Sequence, residues 1–179
     1  MDTRERLLVL RKLITLLSKE FEVCSNLLLQ RFIYFLSKYS KLKYEYIYHS
    51  FYAPYSYELD LDLSWGKEFG FWRINPIIEL TPAGELTIYQ YTPTEDVYIS
   101  SYASMKAEEY YSEIKSPVSY LLTFFSGITI EQLDLIAIIQ FCKENKEDPW
   151  EVVHLLRPKA TKHEYMLMLK KLNSLVYSN

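Results

Sequence analysis

The side chains that could do chemistry are arranged for binding and not for catalysis. His49, His154 and His163 share no spacing typical of metal ligands, and no cysteine or carboxylate lies at a suitable interval from them. Asp60 and Asp62 are alternate residues, which point to different sides of a helix. The chain has only four glycines, and none of them forms a glycine-rich phosphate loop. We therefore expect no enzymatic activity, no metal and no cofactor.

Basic side chains are concentrated at the start of the chain, although the net charge is −3. Residues 1–50 hold nine Lys and Arg against five Asp and Glu, whereas residues 51–100 hold two against eight. A concentrated basic face is the usual electrostatic footprint of nucleic-acid binding. The candidates for phosphate contact are Arg31, Lys38, Lys41 and Lys43, with Arg73 on a predicted strand. Ordinary solvated surface charge is the alternative interpretation.

A tyrosine-rich stretch forms a second candidate site. Tyr55, Ser56 and Tyr57 lie at the start of a predicted helix, where hydroxyls and rings could contact phosphates or bases. Aromatic residues at such a turn also seal the edge of a core. The helix itself opposes DNA binding, because its acidic side chains would meet the phosphates with like charge. These acidic residues are Glu58, Asp60, Asp62 and Glu68.

Apolar spacing predicts the elements that position these residues. In chain order they are helices over 3–20, 25–39 and 56–69, strands over 71–81 and 86–91, and helices over 104–114 and 117–125. Residues 59–63 alternate with period two as in a strand, but Gly66 and Gly70 can end a helix, so we predict a helix there. Alternating tyrosines over 44–48 could form a short strand. The last helices start at capping boxes that begin at Thr129, Asp148 and Thr161.

This order predicts a mainly α protein with a small β-hairpin. We expect a winged helix-turn-helix over residues 1–92 and a helical C-terminal part over residues 100–179. The residues expected to share the first core are Leu28, Phe32, Phe35, Leu59, Leu63 and Ile78. The helices from Pro117 and Ile130 have more apolar side chains than one face of each can bury, which predicts a two-fold homodimer.

Composition also bears on location. No segment approaches the roughly 18 to 20 apolar residues of a membrane span, and the N-terminal helix lacks the pattern of a signal peptide. We therefore expect a cytoplasmic protein that does not contact a membrane. Cys24 and Cys142 are predicted to be free buried thiols, with a disulfide as the alternative. Seventeen tyrosines with four glycines is a composition that occurs in thermophilic archaea and their viruses.

Several stretches of the chain resemble a known family. Residues 29–36 (LQRFIYFL), 52–59 (YAPYSYEL) and 79–84 (ELTPAG) resemble the signature of uncharacterised bacterial and archaeal winged-helix-type proteins. Those proteins are distantly similar to antitoxin domains of the Panacea type. The segments that resemble the family's C-terminal tail are 135–141 and 156–159. Ala53 replaces the usual glycine before Pro54, and Arg31 stands where the family favours lysine.

Two functions follow as expectations. The first is a non-catalytic regulator of transcription that contacts double-stranded DNA through the basic first 50 residues. The alternative is a protein-interaction module, antitoxin-like as the resemblance implies, that uses the surface around Tyr55. Trp65, Trp72 and Trp150 could then anchor the partner. A continuous positive stripe would favour DNA, whereas a negative helix on that surface would favour a protein partner.

Overall fold

The computed structural model describes residues 2–47, 54–81, 84–95 and 100–175. Seven helices and one two-stranded antiparallel sheet lie in this part of the chain. The elements are α1 (Thr3–Glu20), α2 (Asn26–Tyr39), α3 (Tyr57–Glu68), β1 (Trp72–Thr81), β2 (Gly84–Pro93), α4 (Ser101–Phe125), α5 (Ile130–Asn145), α6 (Pro149–Leu156) and α7 (Lys162–Asn173). The prediction of a mainly α protein with a small β-hairpin is confirmed.

The segment that alternates with period two is helix α3, as predicted. The helix ends at a turn that contains Gly70. Gly70 has φ 75°, and the N–H of Gly70 donates to the carbonyl of Lys67 at 3.0 Å. The next N–H, that of Phe71, donates to the carbonyl of Gly66 at 2.8 Å. This pair of bonds is a Schellman motif, and its left-handed position is one that glycine occupies without strain.

The predicted hairpin is also present. Strands β1 and β2 pair antiparallel from Trp72 opposite Pro93 to Thr81 opposite Gly84. The turn residues 82 and 83 lie outside the described residues. The N–H of Tyr91 donates to the carbonyl of Cys24 at 2.8 Å, which joins β2 to the segment before α2. The short strand predicted over 44–48 is absent from its described part, residues 44–47, where Ile47 makes an isolated bridge with Tyr55.

Helix α4 corrects the prediction of two helices over 104–114 and 117–125. It is continuous, with Pro117 in its interior. A proline at this place removes one helical hydrogen bond and crowds the preceding turn, which is why the sequence indicated a helix start. A buried stripe continues through the proline, and burial of that stripe offsets the local cost. Its members are Ile114, Val118, Leu121 and Phe125.

Two of the three predicted capping boxes are present, and the third, at Asp148, is a one-sided cap. The side chain of Thr129 accepts a hydrogen bond from the N–H of Gln132 at 3.3 Å, and Oε1 of Gln132 accepts one from the N–H of Thr129 at 3.1 Å. Thr161 and Glu164 form the second predicted box at the start of α7. Asp148 caps α6 through its own side chain, which accepts from two backbone N–H groups.

The chain forms two compact units, and each consists of two separate stretches. The first unit comprises Met1–Leu29 and Glu58–Ser116, and the second comprises Gln30–Tyr57 and Pro117–Asn179. Helices α2 and α4 each contribute to both units. This division differs from the predicted one, which placed a single boundary between residues 92 and 100.

The residues expected to share one core belong to both units. Leu28, Leu59 and Leu63 are buried in the first unit, and Phe32 and Phe35 are buried in the second. The prediction for Ile78 is wrong, because its side chain is 63% exposed. Ile78 lies opposite Thr87, nearer to the turn of the hairpin, whereas the buried Trp72 lies at the other end of the strand.

Helix α5 is the centre of the second unit. Every residue from Leu133 to Cys142 is buried, so the helix is covered on all sides within one chain. This answers the part of the homodimer argument that rested on α5, since an all-round apolar helix is either central to its domain or shared between chains. The oligomeric state stays a prediction. Cys24 and Cys142 are free and buried, as predicted.

The length and apolar content of the helices bear on membrane crossing. Among the described residues, no single helix has both the length and the apolar content that a crossing requires; α4 and α5 reach those limits only as a bent pair taken together.

Candidate functional site

Arg31 is buried in the second unit and does not lie on a surface. Its side chain is fully enclosed, and Nε donates to Oδ1 of Asp134 at 2.7 Å. A second bond runs from its guanidinium to the carbonyl of Pro54. Burial lowers the pKa of Arg31, and the Asp134 carboxylate acts in the opposite direction. The structure therefore corrects the prediction that Arg31 contacts a nucleic-acid phosphate.

The three lysines of the predicted cluster remain at the surface of the second unit. Lys38 forms an ion pair with Glu144, with Nζ 2.6 Å from Oε2, and its ammonium lies 4.4 Å from the centre of the Tyr34 ring. Lys43 donates to a backbone carbonyl on α2, and Lys41 is exposed. A neighbouring carboxylate thus already neutralises one of the three cations.

The tyrosine-rich stretch has one buried and one well-exposed member. Ser56 is fully buried: its N–H donates to Oε1 of Gln30 at 2.9 Å, and Nε2 of Gln30 donates to its carbonyl at 3.0 Å. Tyr55 is half-buried and contacts Tyr57 edge to face, with ring centres 5.2 Å apart. Tyr57 is 59% exposed. Ser56 therefore fixes the entry to α3, and only Tyr57 presents much of its ring to solvent. Arg73 is exposed on β1 in the first unit.

Helix α3 exposes large apolar side chains on one face. Leu61 is 48% exposed, Trp65 is 37% exposed and Phe69, which directly follows the helix, is 62% exposed. Residues four apart lie above one another on a helix, so these three side chains form a continuous stripe. We call this stripe the α3 outer face. Neighbouring exposed aromatic and aliphatic side chains are characteristic of interaction surfaces.

Two acidic residues of α3 hydrogen-bond to neighbouring helices, and one of them is neutralised by an arginine. Asp62 is buried and accepts two hydrogen bonds from the guanidinium of Arg6, both at 2.9 Å. Asp60 accepts a hydrogen bond from the amide of Asn26 at 2.8 Å. These carboxylates therefore hold α3 against α1 and the start of α2, and the charge of Asp62 is balanced by Arg6.

The acidic side chains that remain exposed flank the outer face. Glu58 lies three residues before Leu61, and Glu68 lies three residues after Trp65, so both stand beside the apolar stripe. The one basic residue of α3, Lys67, is 3.7 Å from the carboxylate of Glu68. The surface of α3 is therefore apolar with acidic flanks, in contrast to a DNA recognition helix, which places Arg, Lys, Asn or Gln in the groove.

The inner side of α3 is held rigidly against the hairpin. The indole of Trp72 lies over Gly66, and its Nε1 donates to the carbonyl of Leu63 at 3.0 Å. A Cβ at position 66 would be 1.9 Å from Cζ2 of the indole, which means that only glycine permits this approach. The outer face is consequently presented by a helix whose position is fixed from behind.

Sequence reasoning missed an ion-pair triad in the second unit. Asp134, buried on α5, accepts from Nε of Arg31 and also from Nε of Arg157 at 2.6 Å. The available signal was a lone carboxylate inside an apolar run, because a charge at such a place is almost always paired. Within the described residues, no three His, Cys, Asp or Glu side chains group in a way that could hold a metal ion.

Comparison of the sequence with protein-family models and with curated proteins finds no match. The resemblance to winged-helix-type proteins related to Panacea antitoxin domains therefore stays a prediction.

Proposed function

We propose that the protein is a non-catalytic protein-interaction module with a winged-helix arrangement, and that it binds a partner protein through the α3 outer face. The order α1, α2, α3, β1, β2 supports the winged-helix arrangement, since two helices followed by a hairpin make up that motif. The observation that carries the function is the exposure of Leu61, Trp65 and Phe69 on α3.

DNA binding, our first expectation, is less well supported by the charges. Arg31 is inside the second unit, and Lys38 is paired with Glu144. Helix α3 presents Glu58 and Glu68 where a recognition helix would approach phosphates. Each like-charge approach costs affinity, whereas each phosphate contact by Lys or Arg adds to it. DNA binding is therefore the competing outcome of the experiment below.

The expected partner presents an apolar segment flanked by Lys or Arg. The apolar side chains of that segment would cover the stripe, with Trp65 as the aromatic anchor, since tryptophan is enriched among residues that dominate binding energy. Its basic flanks would lie beside Glu58 and Glu68, which steers association and selects against acidic partners. A second copy of this chain fits the face poorly, because a two-fold pairing would place these acidic flanks against each other in either helix direction.

The test is a selection of displayed random peptides on the full chain, followed by binding measurements with synthetic peptides. We expect apolar peptides with flanking Lys or Arg, whose affinity falls about tenfold or more when Leu61→Asp or Trp65→Ala is introduced. The matched control is Tyr102→Asp, because Tyr102 is also exposed, at 64%, but lies on α4. Circular dichroism confirms that each variant is folded.

A parallel titration with a mixed-sequence DNA duplex, at two salt concentrations, decides between the functions. We expect at most weak binding that disappears as salt is raised. Tight duplex binding that Leu61→Asp leaves unchanged would contradict the proposal and favour a DNA-binding regulator. Selected peptides whose affinity is insensitive to both α3 variants would likewise exclude the α3 outer face as the binding surface.

A further inference from the structure

The second unit contains a cavity of about 380 Å³ that the proposed function does not use. It lies between the start of α5, the segment joining α6 to α7, and the start of α7. The residues that form its wall include Leu135, Leu156, Arg157, Pro158, Lys159 and Ala160. Its volume is within the roughly 300–1,000 Å³ typical of small-molecule sites, and its wall is apolar apart from a few polar groups, as in such sites.

The charge of the triad is not balanced. One carboxylate, that of Asp134, accepts hydrogen bonds from two guanidinium groups. Arg31 is fully enclosed, whereas the side chain of Arg157 is 32% exposed and lines the cavity. The excess positive charge is therefore located at Arg157, where an anion in the cavity could neutralise it.

The guanidinium of Arg157 is also held in place before any ligand arrives. Its Nε is bonded to Asp134 at 2.6 Å, and another of its nitrogens, Nη1, donates to the carbonyl of Leu156 at 2.7 Å. A group whose orientation is already fixed loses little conformational entropy on binding. Lys159 adds a second cation to the wall.

Two carboxylates also line the cavity, but both have local partners at helix N-termini. Glu164 accepts hydrogen bonds from the N–H and the hydroxyl of Thr161, both at 2.8 Å, and these bonds lower its pKa. Glu131 lies in the first turn of α5, where the helix dipole stabilises a negative charge. Each of these carboxylates is thus stabilised at the N-terminus of its own helix, whereas Arg157 and Lys159 are the cations of the cavity wall.

We propose that this cavity binds a small apolar carboxylate, with the acid group paired to Arg157 and the hydrocarbon body packed against Leu135, Leu156 and Pro158. Guanidinium groups bind carboxylates through parallel hydrogen bonds, which gives the site its preference for acids. The site is independent of the α3 outer face, since it lies in the other unit.

The test uses sodium octanoate below its micelle concentration, with octan-1-ol and octylammonium chloride as controls of equal chain length. Octanoate should bind saturably in calorimetry and raise the melting temperature, because a ligand that binds the folded state stabilises it. The two controls should do neither, because they lack the carboxylate. Equal effects of octanoate and octan-1-ol would overturn the proposal.

Variants locate the site. Arg157→Gln should weaken octanoate binding about tenfold or more, while Asp134 keeps its bond to Arg31 and the fold is retained. If Arg157→Gln fails to fold, Ala160→Leu provides the second test, because a larger side chain fills the cavity and should abolish binding. Leu61→Asp should leave octanoate binding unchanged. Binding that is lost in Leu61→Asp and retained in Ala160→Leu would place the acid on the α3 outer face and exclude the cavity.

Discussion

Replacing Gly66 by alanine should destabilise the protein, although the same change in an exposed helix usually stabilises. Alanine is better than glycine in a helix by about 1 kcal/mol. Here the new methyl group would lie 1.9 Å from Cζ2, 2.1 Å from Cη2 and 2.5 Å from Cε2 of Trp72. Unstrained carbon atoms approach to about 3.5 Å, so either the indole or helix α3 must move.

Both movements cost free energy. The indole is 1% exposed and donates its N–H to the carbonyl of Leu63, so rotating it leaves a buried donor unpaired at about 1–3 kcal/mol. The alternative is that α3 moves away from β1 to make room for the methyl group. Adding a group to a packed core in this way costs about 1–3 kcal/mol. Either movement therefore costs about 1–3 kcal/mol, and after the helix-propensity gain of about 1 kcal/mol is subtracted we expect Gly66→Ala to lower the free energy of unfolding by about 1 kcal/mol, and by about 2 kcal/mol at most.

A double-mutant cycle in urea, followed by circular dichroism at 222 nm, tests this mechanism. Trp72→Leu removes the indole and itself destabilises. In that background Gly66→Ala should become neutral or stabilising by up to about 1 kcal/mol, because the methyl group then has space. Ser64→Ala, on the exposed side of α3, is the control and should change stability by less than about 0.5 kcal/mol. A Gly66→Ala effect of the same sign and size in both backgrounds would refute the proposed contact with the indole.

Four further changes have outcomes that urea unfolding or thiol titration can measure. Lys146→Gly should stabilise by about 0.5–1 kcal/mol, because Lys146 has φ 59° in the turn after α5, a position that glycine adopts freely; an unchanged midpoint would argue against that turn. Pro117→Ala should stabilise by about 2 kcal/mol by restoring a hydrogen bond inside α4, and destabilisation would show that the proline is needed there. Asp134→Asn should cost about 3–5 kcal/mol, because it removes the carboxylate that forms a buried ion pair with Arg31; a loss below 1 kcal/mol would mean that the triad is not buried in solution. Burial raises the pKa of the Cys24 thiol to about 12, so at pH 8 only about 10⁻⁴ of it is thiolate; its reaction with a disulfide reagent should be slow in the folded protein and rapid in urea, and rapid reaction in both states would contradict its burial.

The sequence predicted the features that depend on near neighbours in the chain. Helix α1, the boxes at Thr129 and Thr161, and the end of α3 at Gly70 all rest on hydrogen bonds between residues three to five apart. Such bonds form wherever the right residues stand at the right spacing, so a pattern in the sequence is sufficient evidence for them.

Features that depend on distant partners were not predictable in this way. Arg31 was expected at a surface because arginine usually is, but a carboxylate 103 residues away in the chain holds it inside. Pro117 was expected at the start of a helix because proline disrupts a helix when it stands in the interior. Burial of the residues on both sides of Pro117 keeps α4 continuous. Leu61 is exposed, whereas Leu63, two positions later, is buried. The residues that pack behind α3 decide this difference.

The sequence by itself therefore determined the kinds of element, most of their ends and the acidic character of α3, because these follow from residue type and short spacing. Tertiary structure decided which charges are enclosed, which apolar side chains remain exposed, and how four stretches of chain combine into two units. The physical reason is that burial is a property of the surroundings of a side chain, and those surroundings are supplied by residues far away in the sequence.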